Sequence, residues 1–180
     1  LQMMIGLYGS TPEKDIEIVE ELFSLSPDTV RIYPTITMKD TLLEKYYNDK
    51  KYVPYSKETT INTCAKILKM FYDKKINVIR VGLHYSDELV STSVAGFYHP
   101  AFRELCESKM FLDMLVNEIK KYPQGEFSVI VGNKFISKAI GQKKANIKVL
   151  KELGYIVTFK QSDTLKDFQF IIKERGDLCY

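Results

Sequence analysis

The sequence predicts an α/β protein in two parts, a parallel β/α front and a smaller α+β tail, on three observations. First, an apolar strand, an amphipathic helix and a second strand follow one another between Leu1 and Pro34. Such a βαβ unit implies parallel strands joined by a right-handed crossover. Second, the alternation continues through another long helix to a further apolar strand, Asn77–Leu83, as in the closing part of a barrel or an open parallel sheet. Third, beyond the turn Tyr122–Pro123–Gln124–Gly125 the pattern changes to β-α-turn-α-β-β.

Each element has its own local signal. Leu1–Leu7 is a short apolar run closed by the turn residues Tyr8–Gly9–Ser10. Thr11 then suits an N-cap, with Pro12 at the first helical position. Ile16, Val19, Leu22 and Phe23 recur at helical spacing as far as Ser26–Pro27, and strand Thr29–Pro34 follows. A short helix is predicted over Thr41–Asn48. A second runs from cap Ser56 to Asp73, with Ile61, Cys64, Ala65, Leu68 and Tyr72 on one face. After the strand Asn77–Leu83, residues Tyr85–Pro100 read as a loop, and a long helix as Phe102–Lys121, its face marked by Leu105, Leu112, Val116 and Ile119. The tail reads as strand Phe127–Val131, helix Lys134–Ala139, a turn at Gly141, helix Ala145–Leu153, and strands Tyr155–Phe159 and Phe168–Lys173. Three segments are therefore expected: 1–83, a linking loop and helix over 84–124, and a tail over 125–180.

Composition narrows the class. With 45% hydrophobic and 27% charged residues over 180 positions, the chain has the make-up of an ordinary globular protein. No apolar run approaches the roughly 20 residues that cross a bilayer, and no basic region leads into an apolar one as in a signal peptide. Cys64, Cys106 and Cys179 have no disulfide-framework or zinc-ligand spacing and fit a reducing, cytoplasmic setting. His84 follows a strand end and His99 precedes Pro100, without a second His or Cys at ligand spacing, so a structural role is expected for both. No Ser-His-Asp or Cys-His arrangement is legible. Because Leu1 already lies in a strand, the start reads as a cut, and the exposed edge of Leu1–Leu7 invites pairing with another chain.

The net charge of +3 is unevenly spread. Beyond Gly125 there are ten Lys and Arg against six Asp and Glu, a balance of +4; up to it, sixteen against seventeen, a balance of −1. From Asn133 to Lys151 there are six lysines and no acidic residue. The tail attracts an anionic partner by charge; the front does not.

Val30–Arg31–Ile32–Tyr33–Pro34–Thr35, then Thr41–Leu42–Leu43–Glu44 and Tyr52–Val53–Pro54–Tyr55, resemble the late half of a radical S-adenosylmethionine (radical SAM) barrel. The resemblance is to the branch of the Elongator catalytic subunit and the oxygen-independent coproporphyrinogen dehydrogenases. Gln2–Met3–Met4–Ile5–Gly6–Leu7–Tyr8–Gly9 is similar to the Gly-Leu-Pro-Gly strand end of those barrels, with Tyr8 where Pro is usual. Ala95–Gly96–Phe97–Tyr98–His99–Pro100–Ala101–Phe102 resembles a Gly-x-x-His-Pro-Ala-Phe segment of a C-terminal extension in bacterial relatives. The resemblance implies that Gly6, Leu7, Tyr8 and Gly9 line the cofactor, near its adenine. Arg31 and Tyr33, sharing one side of their strand, either face a carboxylate or phosphate in the barrel cavity or, for Arg31, serve a local acid such as Asp28.

Such enzymes hold a [4Fe–4S] cluster on CxxxCxxC, three thiolates in one loop, which this chain lacks. S-adenosylmethionine and the [4Fe–4S] cluster are therefore expected of an intact protein completed by an N-terminal barrel half, and neither of this chain alone.

In the tail, Ser137–Lys138–Ala139–Ile140–Gly141–Gln142–Lys143–Lys144–Ala145–Asn146–Ile147 resembles the Ile-Gly-x-x-Gly-x-x-Ile core of a KH domain, especially the KH modules of the transcription factor NusA. A KH loop of this kind clamps about four nucleotides of backbone. The resemblance implies RNA contact, tRNA included, by Lys138, Gly141, Gln142, Lys143, Lys144 and Lys148. Lys144 stands where the second Gly belongs; its side chain either obstructs the nucleic acid or contacts phosphate. The fold expected is thus a partial, late-half radical SAM β/α barrel followed by a KH-like α+β domain. The function expected is that of a C-terminal fragment, not catalytic alone, which supplies part of a cofactor and substrate pocket and a tail suited to recruiting RNA. The alternative is a non-enzymatic RNA-binding protein that works through the KH-like tail.

Overall fold

The computed structural model describes residues 1–174, so Cys179 and the Arg175–Gly176–Asp177 tripeptide lie outside the described residues. The chain divides into two compact units, Leu1–Cys106 and Glu107 onward. Among the described residues no helix is long and apolar enough to cross a membrane.

The first unit is built on three parallel strands in the order β1-β2-β4: β1 (Gln2–Ile5), β2 (Thr29–Pro34) and β4 (Asn77–Val81). Helix α1 (Pro12–Ser24) joins the first two, and α2 (Leu42–Asn48) and α3 (Lys57–Asp73) lie between the second and third. The expected N-caps Thr11 and Ser56 form, and Thr41, read as the first residue of its helix, is a cap as well: each accepts a backbone N–H of its helix's first turn through the side-chain oxygen. One face of the sheet carries Met3, Ile5, Val30, Ile32, Val78 and Val81, all buried. Helices α1 and α3 pack together, and α3 also meets β1 and β4. Phe23 of α1 sets its ring edge-on to Phe71 of α3, with centroids 5.6 Å apart. Truncating the fully buried Phe71 to Ala would cost about 3–5 kcal/mol.

The buried face of α3 is turned slightly from the one its apolar residues suggest. Thr60, Thr63, Cys64, Ile67, Leu68 and Phe71 are buried, while Ile61 and Tyr72 are only partly so. Thr60 tolerates burial because its hydroxyl donates to the Ser56 carbonyl at 2.7 Å. A second departure lies in the segment read as a loop. It holds α4 (Asp87–Thr92) and β5 (Ser93–Ala95), and β5 pairs antiparallel with a two-residue strand, β3 (Thr37–Met38). Gly96 follows at φ +104°, where a Cβ would come within 2.8 Å of the Thr35 carbonyl. Helix α5 (Phe102–Ile119) begins in the first unit and continues into the second.

The second unit carries the three-stranded sheet β7-β6-β8, from β6 (Gly125–Gly132), β7 (Tyr155–Ser162) and β8 (Phe170–Glu174). β6 runs parallel to β7 and antiparallel to β8. Between β6 and β7 come a 3₁₀ turn (Asn133–Phe135), α6 (Ile136–Ile140), a second 3₁₀ turn (Gln142–Lys144) and α7 (Ala145–Glu152). The single helix expected over Lys134–Ala139 is therefore a 3₁₀ turn leading into a short α-helix. Phe111, Leu115, Ile119, Val129, Val131 and Leu150 are fully buried in this unit.

Candidate functional site

In the first unit the carboxyl end of β1 is held by side chains as well as by strand pairing. Gly6, at φ +75°, donates its N–H to Oδ2 of Asp15 at 2.8 Å, and its carbonyl accepts the Tyr52 hydroxyl at 2.7 Å. Asp15 sits in the first turn of α1 and is only 2% exposed. Its carboxylate takes two further donors, the Ser10 hydroxyl at 2.5 Å and the Tyr55 hydroxyl at 2.9 Å. Three donors satisfy a buried charge that would otherwise be costly. Burial, then the hydrogen bond to Asp15, pushes the Tyr55 hydroxyl well above its ordinary pKa; burial, then the charge of Asp15, raises Tyr52.

Next to this cluster the end of β2 is fastened to β1. Thr35 donates both its N–H and its hydroxyl to the Ile5 carbonyl, at 3.0 and 2.8 Å. Past Gly6 the chain turns outward: the Ser10 N–H bonds to the Leu7 carbonyl at 2.9 Å, and Lys14 Nζ to the Gly9 carbonyl at 3.2 Å. Leu7 and Tyr8 are about half exposed, and Tyr8 leans on Tyr46 with centroids 4.7 Å apart. A Cβ on Gly9, at φ +81°, would meet nothing within 4 Å, so its backbone is open to approach from outside. The strand end thus combines a base fixed at Gly6 with an exposed rim at Leu7–Gly9.

Arg31 and Tyr33 lie on the sheet face opposite the core. Arg31 is exposed and in register with Gln2 and Arg80; Tyr33 is partly exposed, opposite Met4. The six residues expected at a cofactor therefore fall into two groups, the turn Gly6–Gly9 and this open face. Among the described residues β1 is an edge strand of its sheet; Met4 on it and Leu1 just before it are exposed.

His99 works locally: its Nδ1 accepts the Ala101 N–H at 3.1 Å, and its ring stacks on Phe97. Cys64 and Cys106 are both buried. Among the described residues no three His, Cys, Asp or Glu side chains group to hold a metal, so these residues do not fit an iron–sulfur cluster.

In the second unit the lysine-rich loop is shaped by left-handed backbone. Gly141 has φ +76°, and Lys143 and Lys144 follow at +51° and +60°. Gln142, Lys143, Lys144 and Lys148 are exposed, as is Lys151. Lys138 is not available in the same way. Its ammonium pairs with Glu107 at 2.7 Å and lies over the rings of Phe135 and Phe168, 4.8 and 5.5 Å from their centroids. Beneath the loop, Asn146 is 4% exposed, and its Nδ2 donates among four oxygens at 3.0–3.1 Å: Ser108 O, Ser108 Oγ, Lys138 O and Ala139 O. A Cβ on Gly141 would come within 3.0 Å of the same side chain.

Asp15, Tyr52, Tyr55 and Asn146 were not legible as site residues from the sequence. A signal for the first existed: Asp15 stands one turn past a strand-end Gly-x-x-Gly, where a carboxylate reaches back to the turn's N–H groups.

Residues 27–111 match the Radical_SAM C-terminal domain. The chain is similar to the C-terminal part of radical SAM proteins. It is also 28% identical over 109 residues to a tRNA uridine(34) acetyltransferase of Dehalococcoides mccartyi (strain CBDB1). That match takes in 59% of this chain and 24% of the relative, so the chain spans about a quarter of the relative's length. The radical SAM likeness extends through the whole first unit from β2 onward and a few residues into the second.

Proposed function

We propose that this chain is the C-terminal part of a radical SAM enzyme that acts on RNA. Segment 1–83 supplies late strands of the β/α barrel, 84–124 an extension, and 125–180 a KH-like module that recruits the RNA. The observation that carries the reading is the match of residues 27–111 to the Radical_SAM C-terminal domain, joined to three parallel strands with one open, polar-bearing face. The tRNA-modifying name of the relative supports tRNA as the substrate class.

In this reading the Gly6–Gly9 rim contacts the adenine of S-adenosylmethionine, and Arg31 and Tyr33 face the barrel cavity. The [4Fe–4S] cluster is bound by thiolates elsewhere in the intact protein and, with S-adenosylmethionine, supplies a radical that abstracts hydrogen from the substrate. The chain alone is catalytically silent. Its exposed lysines, Lys143, Lys144 and Lys148, meet phosphate, while Lys138 holds the loop's base through Glu107.

Anaerobic reconstitution with iron and sulfide tests the enzyme reading. The intact protein should take up one [4Fe–4S] cluster and the isolated 180-residue chain none. A stoichiometric cluster spectrum from the isolated chain would overturn the assignment. For the tail, K143E/K144E should remove salt-sensitive RNA binding; unchanged binding would exclude this loop as the contact.

A further inference from the structure

The strand-end cluster in the first unit has a feature that cofactor contact alone does not require. The N–H and the C=O of one residue, Gly6, are both taken by side chains from other parts of the chain: Asp15 at 2.8 Å and Tyr52 at 2.7 Å. Asp15 is in turn braced by Ser10 and Tyr55. The Tyr55 ring also lies where a Gly6 Cβ would be, 3.2–3.4 Å away. Gly6 cannot shift without breaking bonds to a buried carboxylate. Beyond it the Leu7 and Gly9 carbonyls are taken by the Ser10 N–H and by Lys14 Nζ, while the N–H groups of Leu7, Tyr8 and Gly9 have no protein acceptor among the described residues.

We infer that Asp15, braced by Tyr55, is a positioning residue that presets the Gly6–Gly9 backbone for a nucleoside ligand. It touches no ligand itself. It acts by fixing Gly6, so that the N–H groups beyond it are held in one arrangement before the ligand arrives. Preset hydrogen-bonding groups bind more tightly because the ordering cost is already met. The inference rests on the proposed cofactor role of Gly6–Gly9. The bracing is polar on all sides, so a carboxamide or an alkyl group at position 15 would each loosen it to a different degree.

The test uses the intact protein and S-adenosylhomocysteine as an unreactive probe, with hydrogen exchange of the Gly6 amide measured alongside. In D15A the Gly6 amide should exchange at least tenfold faster and probe affinity fall at least tenfold. D15N, which keeps an acceptor oxygen, should recover much of both. Y55F, which removes one brace and keeps the ring, should lie between wild type and D15A and guards against D15A failing to fold. I67V, a change at a buried α3 residue that makes none of the cluster's hydrogen bonds, should lower stability without moving affinity. If the wild type binds the probe and Y55F and D15A bind as tightly while Gly6 exchange rises, the positioning role is refuted. If the wild type does not bind the probe at all, the cofactor reading of this rim falls, and the inference with it.

Discussion

Tyr55 donates its hydroxyl to Asp15 at 2.9 Å across forty residues of chain, and its ring fills the space beside Gly6 where a side chain would otherwise stand. The contact joins the start of α1, the end of β1 and the segment ahead of α3. It makes the candidate rim a product of tertiary structure rather than of a local turn.

Removing the carboxylate should therefore cost stability. D15A leaves the Gly6 N–H without its acceptor inside the fold, and hydrogen bonds to charged groups contribute about 1.5–3 kcal/mol. Urea unfolding should show a loss of about 2–3 kcal/mol, with a smaller loss for D15N. A loss below about 0.5 kcal/mol would show that water replaces the bonds freely.

The raised tyrosines give a pH dependence with a definite sign. Tyr52 and Tyr55 hold their protons more tightly folded than unfolded. Their contribution to stability is complete below the ordinary tyrosine value of about 10. Above it the unfolded chain releases protons that the folded chain keeps, so stability falls as pH rises. Tyrosinate formation at Tyr52 and Tyr55, followed by absorbance against the Y52F/Y55F variant, should come above the ordinary tyrosine range, and the alkaline loss should shrink in that variant.

Asn146 should be as sensitive in the second unit. Its two amide hydrogens are shared among four oxygens on α5 and α6. N146A leaves buried carbonyls unpaired and should cost about 1–3 kcal/mol. N146L, close in size, should cost as much, because volume cannot replace the donors. A neutral N146L would mean that packing alone holds the loop.

Lys144 sits in left-handed backbone, where a non-glycine residue costs about 1 kcal/mol. K144G should raise stability by up to that amount and, by removing one positive charge from the loop, flatten the salt dependence of RNA binding by about one counterion. A stabilised variant with an unchanged salt slope would remove Lys144 from the contact.

Two buried hydroxyls, Thr37 Oγ1 and the Tyr98 O–H, have no hydrogen-bond partner among the described residues. T37V should therefore be neutral or stabilising by up to about 1 kcal/mol in thermal unfolding. A clear destabilisation would reveal a water or ligand bound to that hydroxyl.

How much of this the sequence discloses depends on the range of the interactions. The caps Thr11 and Ser56 and the strand Thr29–Pro34 are local, and the residues that make them lie within a few positions of one another. The β3–β5 pair was not legible because strands of two and three residues are too short to show a period. Helix α4 did carry a signal: Ser86 ahead of two acidic residues, its hydroxyl accepting the Leu89 N–H at 3.0 Å. Asp15 reads locally as a dipole-matching acid at a helix start, and only Gly6 and Tyr55 make it a buried brace. Lys138 reads as one of six alike in a basic run, yet Glu107, on another helix, sets it apart.

The most direct test of the central claim is release of 5′-deoxyadenosine from S-adenosylmethionine by the intact, anaerobically reconstituted and reduced protein. It should form, and D15A should slow it mainly through weaker cofactor binding. A protein that carries its cluster and binds S-adenosylmethionine yet releases none would contradict the claim.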